Sequence, residues 1–314
     1  MATITAERSA PRGGFVKKPP GLLQRIIRHR ADYLYIAPAI GVMALVILYP
    51  FVYTIYLSFF ETPASRPEIY FNGLENYQEL FQADLFWLVT RNTIYWTIGS
   101  TILSFILGLA AALLVNQKVP LVGLFRGILV IPYVIGHVTA SYAWRWLLHG
   151  DFGVLSQTLI QWGFIEQPIP FLQSPALVML SLVLVNTWKS FPFAMIMLLA
   201  GLQTIPEDLY KAARVDGANS WQQFIEITLP QLMPITMVTT VLMIIGNMNS
   251  FTIPYVMTGG GPAHQSEIII TWIYNISFQT LRFGYASAIS VVLFIVLFVF
   301  SYFYVRVLTR NEAN

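Results

Sequence analysis

Six long apolar runs decide most of what this chain can become. They occupy about residues 34–59, 86–115, 121–148, 175–202, 230–257 and 285–308, and none carries an Asp or Glu in its interior. A bilayer's hydrocarbon core needs roughly 20 residues of helix, so each run is long enough to cross one. The 314 residues are 56% hydrophobic and 11% charged, which is membrane composition rather than that of a soluble core. In lipid every backbone N–H and C=O must find a partner inside the protein, which leaves helices as the natural form for such runs. The fold class expected is an all-α membrane protein with six transmembrane helices. The chain has no cysteine, so it has no disulfide, thiolate metal site or cysteine nucleophile.

Charge sets the expected orientation. A basic, polar arm of residues 1–33 holds Arg8, Arg12, Lys17, Lys18, Arg25, Arg28 and Arg30 and lacks the apolar core of a cleavable signal. Residues 22–29 suit a short surface helix, although a topology signal alone accounts for the charges. With the N-terminus in the cytoplasm, the inner segments hold this arm, Lys118, Arg126, Lys211, Arg214, Arg306 and Arg310. The outer ones hold Arg66, Arg91, Arg145 and Arg282. That bias predicts cytoplasmic termini, a membrane domain over 34–308 and a tail over 309–314.

Between the fourth and fifth runs lies the charged stretch 205–230. Thr204 and Glu207 fit a capping box, as do Ser220 and Gln223. Gly217 permits a sharp break. A helix, a turn and a short helix over 221–227 are expected, lying on the membrane surface. Lys211-Ala212-Ala213, Gly217, Ile227 and Leu229-Pro230 keep every spacing of the Glu-Ala-Ala loop found in permeases of binding-protein-dependent ABC importers. The stretch resembles that loop, and its Leu209-Tyr210 and Asp216-Gly217-Ala218 resemble the carbohydrate branch. Lys211 departs from the usual glutamate. The resemblance extends over most of 35–310, through Asn92-Thr93 with Trp96, Phe191-Pro192-Phe193, and Thr258-Gly259-Gly260-Gly261-Pro262.

The resemblance implies the type I importer permease fold in a bacterial or archaeal cytoplasmic membrane. It also implies that Tyr210, Lys211, Ala212, Ala213, Asp216, Gly217 and Ala218 couple the chain to an ATPase. The partners implied are a second permease subunit in a heterodimer, two ABC ATPase subunits and an extracytoplasmic sugar-binding protein. ATP and Mg would sit on the ATPase, with no cofactor on this chain. The expected cargo is a sugar, such as a di- or oligosaccharide or a glycoside. Glycerol phosphate or another non-sugar solute is the nearest alternative, and a secondary transporter or a membrane scaffold are readings from other classes. Secondary transport usually couples through intramembrane carboxylates, and the runs have none.

Polar groups inside the runs are the remaining clue. Asn186, Lys189 and Ser190 share one face of the fourth helix by spacing, and Asn247 and Ser250 share one on the fifth. The amides and hydroxyls can serve a sugar or bind helix to helix. A buried Lys189 calls for an anion or a water-filled path unless it snorkels to an interface. Trp188 and Tyr133 are candidates to stack on a sugar ring. No Gly-x4-Gly-Lys-Ser/Thr phosphate loop occurs, and the four histidines are scattered, so neither ATP binding of that kind, nor a metal site, nor a catalytic triad is expected. Nothing in the pattern points to nucleic acid.

Overall fold

The computed structural model describes residues 30–62, 69–117 and 120–311. The arm charges Arg8, Arg12, Lys17, Lys18, Arg25 and Arg28, the expected 22–29 helix, Arg66, Lys118 and the last three residues lie outside the described residues, as do the side chains of Arg30 and Arg310. The chain through Tyr53 forms one unit and the chain from Thr54 onward another. Helix α1 (Arg30–Met43) passes through a π-turn (Ala44–Leu48) into α2 (Tyr49–Leu57). Its residues from Tyr35 to Tyr49 are exposed and apolar.

The second unit opens with a small ribbon, β1 (Phe60–Glu61) antiparallel to β2 (Tyr70–Phe71), then α3 (Glu75–Gln82). Asn76 is fully buried and donates to Ser58 O (2.9 Å) and Phe60 O (3.0 Å), which fixes the ribbon on α3. Arg282 clamps the same corner. Its Nη1 donates to Glu79 at 2.7 Å and its Nε to Glu61 at 3.3 Å. That hydrogen bond holds the Glu79 carboxyl below its usual range, against a smaller upward push from burial. The clamp's contribution is therefore complete above the ordinary carboxylate range and is lost as pH falls through the lowered value.

Helix α4 (Asp84–Val115) and α8 (Val178–Thr204) form the most extensive helix pair. Along α4 the buried positions Thr93, Thr97, Ser100, Thr101, Ser104, Gly108, Ala111 and Ala112 recur every three or four residues. This stripe of small side chains lets the two backbones approach closely where lipid offers no hydrophobic drive. Around the pair, α5 (Val122–Val134) packs on α8, α6 (His137–Leu147) holds α7 (Val154–Gln161), α11 (Leu229–Met248) packs on both helices, α12 (Thr252–Thr258) on α6 and α8, α13 (Ile269–Phe278) on α4, and α14 (Phe283–Asn311) on α3, α11 and α13. Three apolar clusters fill the unit, around Trp96 and Leu182, around Trp272 and Ile289, and around Leu198 and Leu232.

Among the described residues five helices are long and apolar enough to cross a membrane, and a sixth crossing exists if α5 and α6 count as one. The third run is not a straight span, because α5 and α6 meet at 91°. The fifth run is interrupted too. α11 ends at Met248, and Ser250 lies in the link to α12, not on a helix with Asn247.

The stretch 205–230 departs from expectation at both caps. Thr204 is the last residue of α8 and donates to Gly201 O at 2.8 Å, while α9 (Glu207–Val215) starts behind Pro206 without a side-chain cap. The second box is Asn219 with Gln222, one residue earlier than Ser220 with Gln223. The Asn-x-x-Gln pattern satisfies the same rule, and Asn219 has the extended backbone a cap requires. Nor does a short helix stop near Ile227. α10 (Ser220–Gln223) continues through a π-turn (Phe224–Thr228) into α11, so one helical rod runs from the surface into the membrane. Proline at position 230 cannot donate to the carbonyl at 226, and the π-turn absorbs that lost bond.

Gly108 is the tightest point of the α4–α8 contact. A Cβ there would stand 2.5 Å from Ala194 Cβ and 2.9 Å from both Met195 N and Phe191 O. Gly108→Ala should lower stability by about 1–3 kcal/mol, because backbone cannot retreat as a flexible side chain does. Gly127→Ala, with nothing within 4 Å, should stay within about 1 kcal/mol of the parent. Thermal unfolding in detergent compares them, and equal effects would contradict this packing.

Candidate functional site

Two places bring chemistry-bearing residues together. The first is a cavity of about 250 Å³ lined by Tyr133, His137, Asn186, Ser190, Phe193, Leu242, Met243, Gly246, Asn247 and Ser250. It lies where α5, α6, α8 and α11 meet. Five of the seven residues expected on a solute path stand in its wall: Tyr133, Asn186, Ser190, Asn247 and Ser250. Lys189 and Trp188 do not. Trp188 packs edge-on against Trp144 of α6, with ring centres 5.4 Å apart. Lys189 Nζ donates to Tyr133 O at 2.8 Å. The face of the Tyr133 ring also meets its ammonium.

The two asparagines are bonded to each other. Asn186 Nδ2 donates to Asn247 Oδ1 at 2.9 Å, and Asn247 Nδ2 donates to Thr101 Oγ1 at 3.0 Å. Trp96 Nε1 donates to Asn247 O at 2.9 Å, and Ser190 Oγ reaches Asn186 Oδ1 at 3.4 Å. Helix packing and cavity lining are thus the same residues, not alternatives. Among the cavity walls, Phe193, Leu242, Met243 and Gly246 were not singled out as solute contacts in the sequence, and His137 stood there only as one of four scattered histidines. His137 stands four residues beyond Tyr133, across the bend between α5 and α6, and both line the cavity. Among the described residues no cluster of three His, Asp or Glu could hold a metal ion.

The second place is α9 with the turn after it. Gly217 has φ +86°, which only glycine adopts without strain. Ala218 N donates to Ala213 O at 2.9 Å and Gly217 N to Arg214 O at 3.2 Å. This is the Schellman closure of a helix C-terminus, and it explains why Gly217 stands four residues past Ala213. Tyr210 OH shares a hydrogen bond of 2.9 Å with Thr228, tying α9 to the π-turn. Lys211 Nζ pairs with Asp208, three residues back, at 2.8 Å. Lys211, Ala212, Asp216 and Gly217 are exposed, while Tyr210, Ala213 and Ala218 are half-buried. Leu209, Val215, Trp221 and Ile225 present exposed apolar surface around them. A space of about 530 Å³ lies beside α9, lined by Asn116, Gln203, Glu207, Tyr210 and Arg214 among others.

Comparison with known proteins decides the family. A model of "binding-protein-dependent transport system inner membrane component" proteins matches residues 104–312. The chain belongs to this family. Among its relatives, the sulfoquinovosyl glycerol transport system permease protein of Agrobacterium fabrum is 36% identical over 280 residues, covering 89% of this chain and 90% of that one. The trehalose/maltose transport system permease protein of Thermococcus litoralis is 34% identical over 278 residues, covering 88% and 93%. The crystal structure of a bacterial ABC transporter that imports the acidic polysaccharide alginate contains a chain of similar fold. Its TM-score is 0.78 at 25% identity, over 92% of this chain and 98% of that chain. The expected fold class therefore holds, and this permease is a multi-pass membrane subunit of an ABC importer.

The asparagine bonds of the permease are testable. Asn247→Ala strips partners from Asn186 and Thr101 and should lower stability by about 1–3 kcal/mol. A double-mutant cycle with Asn186→Ala should give a coupling of roughly 0.6 kcal/mol, the usual size inside membranes. Ser250→Ala, whose hydroxyl makes no hydrogen bond among the described residues, should leave stability unchanged. Equal losses for Asn247→Ala and Ser250→Ala would contradict the arrangement.

Proposed function

We propose that this permease carries a sugar, a di- or oligosaccharide or glycoside, along the cavity walled by Tyr133, Asn186, Ser190, Asn247 and Ser250. The carrying observation is the composition of that wall. Amides and hydroxyls that donate and accept stand beside the aromatic rings of Tyr133 and Phe193, which is the chemistry a polyhydroxylated ring needs. The sugar permeases among the relatives support the same reading. At about 250 Å³ the cavity is smaller than the roughly 300–1,000 Å³ of most small-molecule sites. It fits half of a path, with a second permease subunit supplying the opposite wall. An extracytoplasmic binding protein delivers the sugar, as the family's description implies.

The stretch 205–230 is the lever in this reading, facing the cytoplasm together with both termini. Two ABC ATPase subunits, holding ATP and Mg, dock on Tyr210, Lys211, Ala212, Ala213, Asp216, Gly217 and Ala218. The exposed apolar side chains around α9 supply the docking surface. Closure of the ATPases pushes α9, the Tyr210–Thr228 bond passes the displacement to the rod from Ser220 to Met248, and the cavity end of that rod moves. Lys211 lies at the rim, engaged by Asp208 of its own helix.

Vanadate-sensitive uptake of a labelled sugar, in cells expressing the whole importer, tests this. Gly217→Pro forbids φ +86° and removes the Gly217 N–H bond, so uptake should be abolished while the chain remains in the membrane. Lys211→Glu should retain most uptake. Normal uptake by Gly217→Pro contradicts the lever. Loss of the ATPase from Lys211→Glu, restored by an acid-to-lysine change on the ATPase, contradicts the rim position.

A further inference from the structure

The sharp bend between α5 and α6 falls at Ile135 and Gly136, three residues past Pro132 of α5. Ile135 (φ −62°, ψ 132°) and Gly136 (φ −57°, ψ 141°) are in conformations open to most residues. Gly136 is not required for its freedom at positive φ. Backbone this permissive leaves contacts from other helices to fix the angle of 91° between α5 and α6. Lys189 is placed to do so. It is only 2% exposed and is the one cation on α8. Its Nζ donates to the carbonyl of Tyr133, the second-last residue of α5. The last carbonyls of a helix have no partner within it, and a cation there is favoured by both the hydrogen bond and the helix dipole. The same Nζ stands 5.4 Å from the centre of the Tyr133 ring. Phe193, one turn further along α8, stacks on that ring at 6.3 Å. The described ion pairs join Lys211 to Asp208, His264 to Glu267, and Arg282 to Glu61 and Glu79, and Lys189 takes part in none of them.

The bend matters because both its sides are cavity wall: Tyr133 precedes it and His137 follows it. We propose that Lys189 is a positioning residue that fastens the end of α5 to α8 and thereby sets where Tyr133 and His137 stand in the cavity. Two other cations cap helix carbonyls in the same way. Arg126 Nη2 donates to Val115 O at 2.8 Å, and Arg145 Nη1 donates to Val256 O at 3.0 Å. Neither of those carbonyls belongs to a cavity-lining residue. Lys189 differs in holding a wall of the cavity itself. Its charge is engaged within the chain and requires no acidic group on the solute. The inference rests on the solute-path reading only for the consequence it has for transport.

The absence of cysteine allows a direct test. Spin labels on Phe125→Cys and Tyr142→Cys, both exposed, report the distance across the bend. A second pair, Ile98→Cys with Leu184→Cys, reports the α4–α8 pair. Distances are measured by pulsed electron paramagnetic resonance on the full chain, within its complex in lipid nanodiscs. Lys189→Arg should keep the parent's single narrow distribution across the bend. Lys189→Met should lose that peak, while the control pair is unmoved. If Lys189→Met does not accumulate in the membrane, Lys189→Gln takes its place. An unchanged distribution across the bend, or an equal change in both pairs, would overturn the proposal. The measurement uses no solute, so its outcome is independent of whether the cargo is a sugar.

Discussion

The side chain of Asn247 is the knot of this structure. It accepts from Asn186 on α8 and donates to Thr101 on α4, while its own backbone carbonyl takes the Trp96 indole N–H. Three helices therefore meet in hydrogen bonds at one depth. Inside a membrane an amide cannot turn to water, so it is either bonded within the protein or costly. The close α4–α8 approach at Gly108 and the small-residue stripe along α4 bring the pair together, and Asn247 joins α11 to it. The cavity forms on the other edge of this knot, which is why its polar wall and the helix contacts share residues.

Helix ends are the second concern of a chain in lipid, and here they are closed by groups from elsewhere. Arg126 serves the end of α4, Lys189 that of α5 and Arg145 that of α12. The end of α9 closes on itself through Gly217 instead. Past that turn a continuous rod, α10, the π-turn and α11, leads to Asn247. The distance between α9 and the cavity is thus spanned by one rod, tied at its outer end by Tyr210 and Thr228.

Much of this was legible in the residues, and the reasons for the failures are specific. Long apolar runs and the fixed spacing from Lys211 to Pro230 are strong patterns, because membrane thickness and helix geometry both constrain them. Asn186 and Asn247 stood out because amides are conspicuous among apolar side chains. That they bond to each other depends on how α8 and α11 cross, which no local pattern carries. The box at 220 was missed by one residue, since Ser and Asn satisfy the same motif, and the one at 204 because Thr204 still belongs to α8 and α9 starts behind Pro206 without a side-chain cap. The bend after Val134 was not legible because backbone angles open to most residues make it. Glu267 was overlooked outside the apolar runs, yet it is 1% exposed and held by His264 and by Asn275 Nδ2 at 2.6 Å.

If closure of the ATPases moves the cavity end of the rod, as proposed, the cavity beside Asn247 opens alternately to the two sides of the membrane, and this is the claim to test. Ser190 lines it and the chain has no other thiol to confuse the reading, so Ser190→Cys in the assembled importer gives the most direct measurement. A membrane-impermeant thiol reagent is applied to one face or the other, with and without trapping by ATP and vanadate. The account predicts labelling from the face that carries α9 in the resting state, and from the opposite face once trapped. Labelling from the same face in both states would contradict it.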